Sequence, residues 1–86
     1  MTQTIQDGRR EALLRQAQHR RELRDLFRRM IADRETAERL DLRAQQLTDP
    51  VVTDGLLIRA ADHRLRADRA RTVLVAEGVL GIRLPA

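Results

Sequence analysis

All seventeen basic residues in this 86-residue chain are arginine, cysteine is absent, and the net charge is +4. These counts bound the chain to one small domain without a disulfide staple, a zinc thiolate, a Schiff-base lysine or a phosphate-loop lysine. GC-rich coding would produce the same arginine bias without any selection for function, so position along the chain says more than the total.

Met1 to Gly8 is polar and lacks the apolar stretch of a signal peptide, and no run approaches membrane-spanning length. We read it as a loose N-terminus and expect a cytoplasmic protein without a membrane partner. Helix one is expected over 9–47. Leu23, Phe27, Met30, Ala37, Leu40, Ala44 and Leu47 recur at helical spacings, and Leu13 and Ala17 extend the stripe. Arg34 interrupts it, and Asp33 could cap a new helix there, which would split the segment in two.

The same helix concentrates charge. Arg9, Arg10, Arg15, Arg20, Arg21, Arg24, Arg28 and Arg29 face only Glu11, Glu22 and Asp25, whereas the rest of the chain is close to balanced. Arg9, Arg10, Arg20, Arg21, Arg28 and Arg29 are the candidate phosphate contacts. The stacking platforms that single-strand binders use are lacking, because Phe27 is the one aromatic residue.

Thr48-Asp49-Pro50 marks the boundary, with Asp49 as N-cap and Pro50 at the first helical position. Helix two is expected over 50–77 with Gly78 as its C-terminal stop. Ile58, Ala61, Leu65, Thr72, Ala76 and Val79 mark its weaker apolar face, and Ile58, Leu65, Val73 and Val79 are expected to pack against helix one. The tail 79–86 is apolar. Pairing about Asp49 would set Arg21 opposite Glu77 and Glu35 opposite His63, leaving Leu13, Leu14 and Ala17 beyond the end of helix two.

The fold expected is all-α: a long antiparallel hairpin of coiled-coil type, or three helices if helix one breaks near Asp33, assembled into a dimeric bundle. An unbroken segment 9–47 would be about 58 Å long, too long for a compact chain of this size.

No chemistry-bearing motif is present: no phosphate loop, nucleophile elbow or zinc spacing. His19 and His63 would lie about 24 Å apart along the hairpin, so no shared metal site is expected, and His63 reads as surface. Glu35–Arg39 and Arg34–Glu38 read as simple ion pairs on the helix surface. No cofactor is expected and no catalytic residue stands out.

The leading expectation is an interaction module that pairs with itself or a protein partner through Leu13, Leu23, Phe27, Met30, Leu40, Leu47, Ile58, Leu65, Val73 and Val79. A nucleic-acid-associated protein using the arginines of helix one is the second. The third is an enzyme whose site forms only between two copies, hinted at by Arg34 on the apolar stripe.

Overall fold

The computed structural model describes residues 2–81, and within them the chain is two helices, α1 at Thr2–Gln46 and α2 at Pro50–Ala76, packed as an antiparallel hairpin. Among the described residues there is no strand. Helix one is continuous through Asp33, so the three-helix alternative falls. It also begins at Thr2, where a loose N-terminus was expected. Alanine, leucine, arginine and glutamine dominate α1, and nothing between Gly8 and Gln46 is a strong breaker.

The reversal follows from local chemistry. Asp49 holds an extended backbone (φ −73°, ψ 115°), and its carboxylate accepts a hydrogen bond from the Val51 N–H at 2.9 Å. Pro50 needs no donor at the first helical position. The far end of α2 closes with a Schellman motif: the Val79 N–H reaches the Leu74 carbonyl at 2.9 Å and the Gly78 N–H reaches Val75 at 3.1 Å. Gly78 sits at φ +76°, a left-handed conformation that a side chain disfavours.

The seam alternates steps of three and four residues on both helices. On α2 it runs Thr53, Leu56, Ala60, His63, Ala67, Ala70 and Leu74, all buried or half-buried. On α1 it runs Leu23, Leu26, Met30, Asp33, Ala37, Leu40 and Ala44, with Phe27 half-buried beside it. Alanines near the turn let the helices approach closely. The larger residues gather at the opposite end, where Met30, Ala67, Ala70 and Leu74 pack with Leu23, Leu26, Phe27 and Leu80.

This corrects the packing face expected on α2. Ile58 is 64% exposed, Leu65 49%, Val79 47% and Val73 45%, so these residues point away from α1. The larger side chains suggested a face that the alanine-rich one occupies instead. Leu13 on α1 and Leu47 just beyond its end are likewise exposed.

The molecule is a single layer, with principal extents of 72 × 35 × 13 Å and a radius of gyration of 20.0 Å. A compact chain of this length would have a radius of about 12 Å. The long dimension is close to the roughly 68 Å that 45 helical residues span.

Candidate interaction surfaces

Three features of this layer could carry function: a polar cluster in the seam, the free end of α1 and the exposed apolar residues.

The polar cluster centres on His63. Its Nδ1 lies 2.7 Å from Asp33 Oδ1, and both side chains are about three-quarters buried. His63 is therefore a seam residue, contrary to its reading as surface, and it faces Asp33 rather than Glu35. His19 pairs with Glu77 at 3.0 Å, where Arg21 was expected. Both differences are a shift of two residues along α1, because the hairpin pivots at Thr48 rather than Asp49. The Asp33 carboxylate can only accept, so Nδ1 is the donor in that contact. Arg66 lies against the ring, with its Nη2 2.9 Å from Nδ1 and 3.4 Å from Nε2 and its Nε 3.7 Å from Asp33. Arg64 pairs with Asp41 nearby.

A carboxylate that orients an imidazole can serve acid–base chemistry if the second ring nitrogen is open to a reactant. Here the Arg66 guanidinium lies within 3.4 Å of both ring nitrogens, so the cluster reads as a mutually satisfied polar layer. Arg34 lies outside the seam and lines an open depression with Glu38, Arg64 and Asp68. No Ser or Cys nucleophile lines it. Among the described residues, no group of three or more His, Cys, Asp or Glu is placed to hold a metal. His19 and His63 sit in separate pairs.

The free end of α1 precedes His19, the residue level with the C-terminus of α2. Leu13 is 63% exposed and Leu14 59%. Arg9, Arg10, Arg20, Arg21, Arg28 and Arg29 are exposed along the arm and its root. Of the eight arginines between 9 and 29, only Arg15 has a carboxylate within 4.0 Å among the described residues, Glu11 at 3.9 Å. The ion pairs expected between Glu35 and Arg39 and between Arg34 and Glu38 are not formed; Arg39 instead donates to the Thr36 hydroxyl at 3.3 Å. Of the apolar tail, residues 82–86 lie outside the described residues.

The exposed apolar residues form the third feature. Val51, Ile58 and Leu65 follow one another at intervals of seven on the side of α2 opposite the seam, and Val79 is exposed beyond the helix end. No described helix is long and apolar enough to cross a membrane. Comparison with protein-family models, curated proteins and solved structures found no match to this chain.

Proposed function

We propose that this chain is a small helical interaction module of coiled-coil type that works by pairing with protein helices, its own copies first. The observation that carries this reading is the 13 Å thickness of the layer together with the apolar residues left outside it. Two helices side by side can each bury one stripe only. Leu13, Leu14, Ile58 and Leu65 are all about half-exposed or more, and large apolar side chains left in water favour a partner that covers them. Pairing stabilises the folded state by mass action, so the melting temperature should rise with protein concentration. Light scattering should give a mass above 9.9 kDa at micromolar concentration. A strictly monomeric protein with a concentration-independent melting point would refute self-association.

The unneutralised arginines of α1 favour a second reading, in which the arm lies along the phosphates of a nucleic-acid duplex. Such binding releases counterions, and its log–log salt slope counts about 0.9 per phosphate contacted. Replacing Arg20 and Arg21 by Gln should lower that slope by about 2 and weaken all sequences alike. No binding to duplex DNA or RNA at low salt would end this reading and leave the first intact.

A further inference from the structure

We infer that the outer stripe of α2 is the face on which a second copy docks, antiparallel and with Leu65 on the two-fold axis. The inference rests on the self-association reading above and specifies its surface and register.

Two apolar stripes run along α2, each with a seven-residue repeat. The first is the seam. The second is Val51, Ile58 and Leu65, with Thr72 at the next position before α2 ends at Ala76, and all four are exposed. Helix one has no equivalent. Its side opposite the seam runs Leu14, Arg21, Arg28, Glu35 and Leu42, and the three charges in the middle break it. An apolar heptad stripe needs a facing stripe with the same repeat. Only the outer face of another α2 supplies one among the described residues.

The stripe is self-complementary in one register. With the helices antiparallel and Leu65 against the partner's Leu65, Ile58 meets the partner's Thr72 on either side of the axis. A two-fold contact requires this reciprocity, with one patch serving both copies.

Charge supports the same register. Asp62 and Arg69 flank the stripe on one side, and neither has an oppositely charged partner within 4.0 Å among the described residues. In the Leu65-centred register, Asp62 lies across from the partner's Arg69, and symmetry makes the pair twice. Such flanking pairs set orientation and register in helical assemblies.

The absence of native cysteine makes the test direct. Leu65→Cys should form a disulfide-linked dimer when oxidised glutathione accepts the two electrons, because the two thiols meet at the axis. Leu13→Cys, on the arm, should cross-link far more slowly. Leu65→Arg should raise the dimer dissociation constant at least about a hundredfold. Asp62→Arg should weaken it several-fold, and Asp62→Arg combined with Arg69→Asp should recover most of the loss, which a general effect on folding would not do. All these positions are solvent-exposed, and circular dichroism of each variant at low concentration should match that of the parent.

A protein that remains dimeric by mass, but in which Leu13→Cys captures the dimer and Leu65→Cys does not, would overturn the inference and leave self-association standing. A dissociation constant indifferent to Leu65→Arg would do the same. A parent protein that is monomeric at every concentration would overturn both.

Discussion

Asp33 and His63 share one polar layer in an otherwise apolar seam, and neither side chain is exposed enough to be satisfied by water alone. Removing one partner leaves the other half-buried with only Arg66 beside it. Asp33→Ala should therefore cost about 1–3 kcal/mol, read from urea denaturation. Replacing both by leucine should recover that stability or exceed it, since apolar pairs of similar size often outdo buried polar ones. The double variant should pay in specificity of register. A double variant as unstable as the single would show that the layer matters for shape rather than for pairing.

Leu74 tests the position of the core. It is 0% exposed, and Leu74→Ala should cost about 2–5 kcal/mol. Phe27 is only half-buried, so Phe27→Ala should cost less despite the larger side chain removed. Thermal melts of the two variants at matched concentration would decide the order. The sequence pointed to Phe27 because aromatic bulk on an apolar stripe suggests an interior. In a single layer, the edge of the stripe faces water.

At the scale of the helices, both ends of α2 were legible. Asp49-Pro50 and Gly78 act through backbone geometry that needs no tertiary knowledge. The continuity of α1 was not, because Asp33 and Arg34 read as an interruption and the partner that lets Asp33 sit mid-helix comes from the other helix. The seam of α2 was missed for a related reason. Its alternation of three and four is carried by Ala60, Ala67, Ala70 and a histidine, while the bulkier Ile58 and Leu65 lie outside. Size drew attention to the wrong face. Gly78→Ala should cost about 1 kcal/mol, because the Schellman motif needs its positive φ. It should also loosen Leu80 from the cluster around Leu74. Chemical denaturation would measure the cost, and exchange broadening of the Leu80 methyls by NMR would report the loosening. A variant as stable as the parent would mean that the motif contributes nothing.

For the whole molecule, the dimension that matters is thickness. An antiparallel hairpin of this length should scatter X-rays as a rod with a radius of gyration near the 20.0 Å of the single chain at low concentration. A value near 12 Å would instead mean that the helices fold back into a globule. The candidate interaction residues divide by this geometry. Leu23, Met30 and Leu40 hold the hairpin together, whereas Leu13, Ile58, Leu65 and Val79 remain available to others. Sequence periodicity identifies apolar stripes but not which of two stripes the chain keeps for itself. That choice depends on which face lets the helices approach most closely, and alanine favours approach.

Among the described residues, the arm ahead of His19 has no neighbouring helix. Isolated helices of about 12–15 residues are marginal in water, so little beyond its continuity with the paired part of α1 keeps this segment wound. Its amide hydrogens should exchange with solvent orders of magnitude faster than those around Met30, in a gradient that steepens where α2 ends. Any partner that settles on Leu13 and Leu14 would slow exchange in the arm alone, while a partner seated on α2 would leave it fast. The backbone of residues 6–18 is thus a built-in reporter, and a deuterium time course would tell which part of the molecule is in use.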